Sequence, residues 1–377
     1  MKELKLMGNS IITGENSIYY LEKIKAKKAF IVTGGSSMFK NGTIDKISNI
    51  LESINCTYEI FSGVEKNPGT DIVLNGVNKM NEFNPEVLIA VGGGSAIDAA
   101  KVMSLFYEYK ELNFENALVN LPETRHKIEL IAIPSTSGTG TEVTKAAVIT
   151  YKHLNRKVGL KSTAFIPDIA ILDPLITLSM PKNVVAETGM DAMTHLVESY
   201  INKNLDIYTE TIAKSSIEGL FEYLPISYAN GDIASRERVH VYQCIAGSVL
   251  SNVGLGMAHG ISHAFGARYN EGHGLLNAVA LPYVLKFNSR DSEVKRRLEE
   301  LSTNIGMDFI QAIININKTL NIPNCFKELN IPEKDFLEYN DILVDASMLG
   351  STIKNPVKIS KEEMKNLLNI IYYNKQQ

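Results

Sequence analysis

The stretch Val87-Leu-Ile-Ala-Val-Gly-Gly-Gly-Ser-Ala-Ile-Asp-Ala-Ala-Lys101 passes from an apolar run, through three glycines, into a segment of good helix formers. A run of apolar residues without polar alternation is the pattern of a strand buried on both faces of a sheet. The glycines let the backbone approach an anion closely, and the first amides of the following helix point at that anion with the positive end of the helix dipole behind them. Ser95 and Asp98 have the spacing of an N-cap with a carboxylate at N3, which predicts where this helix starts. A pyrophosphate is the natural ligand of such a turn, and an unliganded tight turn is the plain alternative. The pattern differs from the G-x-G-x-x-G of the common dinucleotide fold.

Outward from this stretch the same grammar repeats. Ala29–Thr33, Thr57–Phe61 and Ile128–Ile133 read as further buried strands. Between them Ile44, Ile47, Ile50, Leu51 and Ile54 keep a helical period, and Asp71–Phe83 reads as a helix. Strand and helix in alternation imply a parallel α/β layer. Directly after the last of these strands, Pro134-Ser-Thr-Ser-Gly-Thr-Gly-Thr-Glu-Val-Thr144 offers hydroxyls and glycines that can donate hydrogen bonds without bulk. Two small-residue loops at the ends of parallel strands favour a dinucleotide over either loop acting separately. From Pro181 onward the pattern is helical with no convincing strand, and Pro225, Pro282, Pro323 and Pro332 are read as punctuation. The expected division is an α/β dinucleotide-binding domain over 1–180 and an all-helical metal-binding domain over 181–377.

Composition narrows the function classes. At 377 residues, 45% apolar and 21% charged, the chain has the make-up of an ordinary globular protein of about two domains. A net charge of -4 with no basic stripe argues against nucleic acid or an anionic membrane as partner. Cys56, Cys244 and Cys325 lie far apart, form no C-x-x-C, and read as reduced thiols. No run of about 18 apolar residues is present, and the first residues lack the apolar core of a signal peptide, so the expected location is cytoplasmic.

The chemistry-bearing residues concentrate between Glu187 and Gly274. Asp191 and His195 stand four apart in a proline-free run, which on a helix is about 400° of rotation and about 6 Å of rise, so both project from one face. His259 and His263 repeat the spacing, and His273 stands between two glycines. One Asp with two or three His suits a divalent first-row metal. A lone histidine is more often a core residue, and His240, in a charged segment, is read that way. Gly254, Gly256 and Gly260 are expected to let the second of these helices lie close to a neighbour or to cofactor, a helix that merely tolerates glycine being the plain alternative.

These stretches together resemble the iron-containing, or group III, alcohol dehydrogenase family. The resemblance rests on Gly92–Lys101, Pro134–Thr144, Gly189-Met-Asp-Ala-Met-Thr-His195, and Gly256-Met-Ala-His-Gly-Ile-Ser-His263 followed by His273-Gly. It implies a dinucleotide-binding α/β domain and an all-helical domain, the dehydroquinate synthase-like architecture. It implies metal ligation by Asp191, His195, His259 and His273, with Fe(II) expected and Zn(II) as the other choice. It leaves His263 close to the site without binding the metal, in a proton-relay or substrate-orienting role. It assigns Gly93, Gly94 and Ser95 to the pyrophosphate, Thr136, Ser137 and Thr139 to the second loop, and Asn67 and Lys157 to the cofactor as well. It suggests a homodimer paired around Ser10–Thr13, and a small alcohol or aldehyde as substrate.

One departure bears on cofactor choice. Where many NAD-preferring relatives carry an Asp after the first strand, this chain reads Val32-Thr-Gly-Gly-Ser-Ser37. Without that carboxylate a 2'-phosphate meets no repulsion, and Gly34, Ser36 and Ser37 give it room and donors, so NADP(H) is expected over NAD(H). The expected activity is hydride transfer between NAD(P)H and a short-chain aldehyde or alcohol. The alternatives are a glycerol dehydrogenase-like zinc enzyme and a dehydroquinate synthase-like lyase. Asp191 in place of a Glu ligand and the scarcity of basic residues around the histidines count against the lyase. Arg268 keeps anionic aldehydes open as substrates, or else forms only a surface ion pair.

Overall fold

The computed structural model describes residues 2–152 and 156–374. The chain forms two compact units, Met1–Met180 and Pro181–Gln377.

The first unit is built on a six-stranded parallel sheet. Its strands are β1 (Ser10–Thr13), β2 (Lys28–Thr33), β3 (Thr57–Phe61), β4 (Val87–Gly92), β5 (Glu129–Pro134) and β8 (Ile169–Leu172), in the order β1-β8-β5-β4-β2-β3. Apolar runs without alternation become the central strands because both faces are covered. Every residue of β4 is buried, and Phe30, Leu88 and Leu130 pack on one side while Ile31, Ile89 and Ile131 pack on the other. A hairpin of β6 (Ala146–Tyr151) and β7 (Arg156–Lys161) forms a separate two-stranded sheet, attached through the bridge from Gly69 to Thr150.

Helices Thr43–Ser53, Thr70–Phe83 and Gly94–Glu108 fall where the apolar period places them. The start of the last differs from expectation. Its N-cap is Gly93, with no side-chain cap. Asp98 instead accepts hydrogen bonds from the Thr141 hydroxyl (2.5 Å) and the Val148 amide (2.9 Å), reaching the second small-residue loop and β6. A buried carboxylate with two donors from another segment gains more there than from an exposed cap of its own helix.

The second unit is helical throughout its described residues. Its longer helices are Lys182–Tyr200, Ile207–Asn230, Ile233–Val253, Met257–Tyr269, His273–Asn288, Ser292–Ile305, Phe309–Thr319 and Lys361–Tyr373. Several starts are fixed by local carboxylate or hydroxyl caps, among them Asp206, Asp232, Asp291, Asp308 and Ser360. Two of the four prolines behave otherwise than expected. Pro225 and Pro282 lie inside helices rather than ending them. An internal proline costs about 3 kcal/mol, and the neighbouring Leu224 and Leu281, both fully buried, offset it by keeping their apolar faces in the core. The three cysteines are free and buried. Among the described residues no single helix is long and apolar enough to cross a membrane.

His240 sits in the core of helix Ile233–Val253, 1% exposed, and burial pushes its imidazole down to about 4. An unfolded histidine takes up its proton near 6.5, so between these values the unfolded chain binds a proton that the folded chain refuses. Stability is therefore full above about pH 6.5 and falls as pH drops toward 4, by about 3 kcal/mol from this one group. Denaturant unfolding of wild type and His240→Gln at pH 7 and pH 4 should show a clearly shallower acid loss in the variant. Equal losses would remove His240 as the cause.

Candidate functional site

The nucleotide-type loops gather at the carboxyl ends of β2, β4 and β5. Gly93 opens helix Gly94–Glu108 directly after β4, and Pro134 ends β5 beside Gly92. The two loops touch, since a side chain at Gly94 would place its Cβ 3.0 Å from the side chain of Thr139. Thr136 lies 3.6 Å from the same point on Gly93, and Ser137 is buried. Only glycine at 94 allows the Thr139 hydroxyl this close to the start of the helix.

Asn67, Ser95 and Lys157 are joined from three segments. Asn67, in the left-handed region with φ 60°, donates its amide to Ser95 Oγ at 3.3 Å. Thr150 donates its hydroxyl to the Asn67 carbonyl and pairs across the hairpin with Lys157. Burial and then the nearby Lys66 lower the Lys157 ammonium below its ordinary value. Gly34 stands at the end of β2 next to Gly92, while Ser36 and Ser37 are exposed at the following turn.

A second constellation lies wholly within the helical unit. Asp191 and His195 project from one face of helix Lys182–Tyr200, His259 and His263 lie on helix Met257–Tyr269, and His273 is the first residue of helix His273–Asn288. The Nε2 atoms of His195, His259 and His273 stand 3.9, 3.9 and 3.7 Å from one oxygen, Asp191 Oδ1. These separations are too long for direct hydrogen bonds and match the roughly 3 to 4 Å between donors that share one ion at about 2.1 Å. The donor atoms of Asp191, His195 and His259 all lie within 4.8 Å of one another. Three imidazoles and one carboxylate are a chemically apt set for a divalent first-row metal.

Electrostatics support the same residues. Burial works against the charge on Asp191, but His195, His273, His259 and the Asn277 amide together hold its carboxyl at about 2. Burial holds the His259 imidazole well below its ordinary value, so it is neutral with a lone pair to offer. Close approach of the helices depends on glycine at one point. A Cβ on Gly274 would lie 2.1 Å from the Glu187 carbonyl, so the helix carrying His273 packs against the helix carrying Asp191 only without a side chain there.

His263 is exposed and stacked on His273, with ring centroids 4.9 Å apart, so it joins the ring cluster at its solvent edge. Close approach to a neighbour holds at two of the three glycines, since a Cβ would lie 1.9 Å from Thr352 Oγ1 at Gly260 and 2.9 Å from Glu198 Oε1 at Gly256, but their places differ from a single helix. Gly254 ends one helix with φ 105° and Gly256 precedes the next, and only Gly260 lies inside a helix, against Thr352. Arg268 is not in an ion pair among the described residues. Its guanidinium lies over the Tyr339 ring, 3.1 Å from the centroid.

Two residues of this site were not singled out from the sequence. Glu198 Oε2 lies 2.7 Å from His259 Nδ1, and both side chains are 1% exposed. The Asn277 amide nitrogen lies 2.8 Å from Asp191 Oδ1, 3.1 Å from His259 Nε2 and 3.2 Å from His273 Nε2, while its oxygen accepts from Ser262. The signals were present: Glu198 follows Asp191 by seven residues and Asn277 follows His273 by four, both same-face spacings on a helix.

Comparison with known proteins identifies the family of both units. Residues 9–174 match the family described as iron-containing alcohol dehydrogenase, and residues 185–372 match the Fe-containing alcohol dehydrogenase family, C-terminal. The chain belongs to the iron-containing alcohol dehydrogenase family. It is 38% identical over 375 residues to an NADPH-dependent butanol dehydrogenase of Clostridium saccharobutylicum, covering 96% of both chains. It is 34% identical to an alcohol dehydrogenase of Thermococcus barophilus, covering 96% of this chain and 97% of that one. The solved structure of an iron-containing alcohol dehydrogenase from Thermococcus thioreducens superposes with a TM-score of 0.92 at 32% identity, over the full length of both chains. The parallel α/β unit and the helical unit are the architecture of iron-containing alcohol dehydrogenases. The activity class is nicotinamide-dependent interconversion of an alcohol and an aldehyde.

Proposed function

We propose that this iron-containing alcohol dehydrogenase reduces short-chain aliphatic aldehydes with NADPH, using a divalent iron held by Asp191, His195, His259 and His273. The observation that carries the reading is the convergence of three imidazole Nε2 atoms on Asp191 Oδ1 at 3.7 to 3.9 Å. When bound there, the ion supplies Lewis acidity toward the carbonyl oxygen of the aldehyde. Asp191 offsets part of the ion's charge, and His259, with Nδ1 donated to Glu198, presents Nε2 as a donor atom. Gly93, Gly94 and Ser95 hold the pyrophosphate at the start of their helix, and Thr136, Ser137 and Thr139 orient the nucleotide from the adjoining loop. Asn67 and Lys157, tied together through Thr150, complete the cofactor site. His263, exposed and stacked on His273, exchanges the proton that the product hydroxyl requires.

The preference for NADPH rests on the uncharged run Gly34-Gly-Ser-Ser37 after β2, and on the 38% identical relative, which is described as NADPH-dependent. Three free, buried cysteines fit a reducing cytoplasmic setting. For assembly, β1 pairs among the described residues on one side only, with β8, and its Ile11 and Ile12 suit a homodimer joined through that edge.

The test is an anaerobic assay of nicotinamide absorbance with butanal, using metal-stripped protein reloaded with Fe(II) or Zn(II). Fe(II)-dependent consumption of NADPH with a lower KM than for NADH is expected. A lower KM for NADH would overturn the cofactor preference alone. Equal turnover by the stripped protein would overturn the metal assignment.

A further inference from the structure

We propose that Glu198 is a positioning residue of the metal centre, one that sets the tautomer of His259 and pins the start of its helix to the helix that carries Asp191 and His195. The inference rests on the metal reading above and goes beyond it to a side chain that touches no ligand position itself.

Glu198 lies three residues after His195 and seven after Asp191 on helix Lys182–Tyr200. Seven residues make about 700° of rotation, within about 20° of two full turns, so all three side chains leave one face. Its carboxylate is 1% exposed and accepts three hydrogen bonds. Oε2 takes the Gly256 amide at 2.9 Å and His259 Nδ1 at 2.7 Å, and Oε1 takes the Ala258 amide at 2.6 Å. A buried carboxylate without partners costs several kcal/mol, and here two of its partners are backbone N–H donors and the third is His259 Nδ1. Burial opposes the carboxylate and raises the carboxyl to about 7, while the donors and the positive end of the dipole of helix Met257–Tyr269 favour the ionised form.

The start of that helix has no cap of its own, because Gly256 offers no side chain. Its first amides are instead taken by distant residues. Glu198 serves Gly256 and Ala258, and Asn355 Oδ1 accepts from Met257 at 3.2 Å. Asn355 is in turn held by Asn288, with which it exchanges amide hydrogen bonds at 2.7 and 3.0 Å. Helix caps are ordinarily local. Here the cap ties the His259 helix to its neighbours, so the direction of the ring is fixed at both its backbone and its Nδ1.

The consequence for the imidazole is specific. With Nδ1–H donated to Glu198, the neutral ring carries its lone pair on Nε2, the atom 3.9 Å from Asp191 Oδ1. Glu198→Gln keeps the shape but exchanges one acceptor oxygen for an NH2 group. If that group faces Nδ1, the ring is pushed to the other tautomer and Nε2 carries the proton instead of the lone pair.

The experiment measures Co(II) and Zn(II) dissociation constants by competition with a chromophoric chelator, on full-length wild type and on Glu198→Gln, Asn355→Ala and Asp191→Ala. Glu198→Gln is expected to weaken metal binding by roughly 10- to 100-fold, the range for loss of a group that orients a metal-ligating histidine. Asn355→Ala removes a cap without touching the ring, and is expected to leave the constant within about twofold of wild type. An equal loss in Asn355→Ala would overturn the tautomer claim, because helix anchoring alone would then account for the effect. Wild-type affinity in Glu198→Gln alongside lost affinity in Asp191→Ala would overturn the role of Glu198 and leave the metal site intact. Undiminished affinity in Asp191→Ala would instead overturn the site reading, and the inference with it. Imidazole 15N NMR of the metal-free wild type needs no variant to fold. His259 protonated on Nδ1 is expected, and a proton on Nε2 overturns the proposal.

Discussion

Asp191→Ala is expected to lower metal-dependent aldehyde reduction on the order of 10³-fold or more, while nicotinamide nucleotide binding stays within about twofold of wild type. The size follows from what the residue supplies. Asp191 is the only anionic group among the four donors, and the other three meet at its Oδ1. Lewis-acid stabilisation of a developing oxyanion amounts to several kcal/mol, each 1.4 kcal/mol being about a factor of ten in rate, so losing the ion removes several decades. The residues assigned to the nucleotide all lie in the first unit and Asp191 in the second, so their affinity should be independent of the change. Metal content after dialysis, NADPH fluorescence titration and turnover with butanal, measured on one preparation, separate the effects. Retained metal together with retained turnover would show that the charge of Asp191 is not what holds the ion. Lost nucleotide affinity would show that the two sets of residues are coupled.

What the sequence discloses about this protein follows the range over which its signals act. Strands β2, β4 and β5 are legible because apolar runs in a doubly covered sheet need no knowledge of their neighbours, whereas β3, read as buried, is an edge strand with no fully buried residue and is legible only from its β-branched and aromatic residues. The pairs Asp191 with His195 and His259 with His263 are legible because four-residue spacing is a property of one helix. Asp98 is the opposite case. Its local spacing fits a cap, yet its carboxylate is claimed by Thr141 and Val148, more than forty residues away. Pro225 and Pro282 show the same contest between local preference and burial, resolved in favour of the core. Glu198 and Asn277 stand in face-sharing positions that could have been read, but their roles depend on partners contributed by other helices. Distinguishing His263 from His273 required the family resemblance at the sequence level, because spacing treats them alike. In the structure the distinction is visible as position: His273 lies 3.7 Å from Asp191 Oδ1, whereas His263 stacks outside it.

Lys101→Met is expected to destabilise the first unit by roughly 3–5 kcal/mol, the range for removing one partner of a buried charged network. Lys101 is fully buried on helix Gly94–Glu108, and its ammonium donates to Thr141 Oγ1 (2.8 Å), the Thr144 carbonyl (2.9 Å), Thr144 Oγ1 (3.1 Å) and the Ala146 carbonyl (2.9 Å). Burial lowers it to about 8, against the opposing pull of Asp98 and Glu142, so it stays charged at neutral pH. Thr141 passes the interaction on, accepting from Lys101 and donating to Asp98. The side chain thus fastens the loop that bears Thr136, Ser137 and Thr139 to the helix that begins at Gly94. A methionine of similar length takes the ammonium donor from the Thr144 carbonyl, leaves the Ala146 carbonyl with only the longer Thr144 hydroxyl bond, and leaves the Asp98 carboxylate without its countercharge. The chain has no tryptophan, so urea unfolding is best followed by far-UV circular dichroism. The double variant Lys101→Met with Asp98→Asn should recover part of the loss, since it no longer buries an uncompensated charge. Because the loop is held loosely in the single variant, KM for the nicotinamide cofactor should rise more than kcat falls. A single variant within about 1 kcal/mol of wild type would show that the ammonium is replaceable by any chain that fills the space. Strictly additive losses in the double variant would show that Asp98 and Lys101 do not compensate one another.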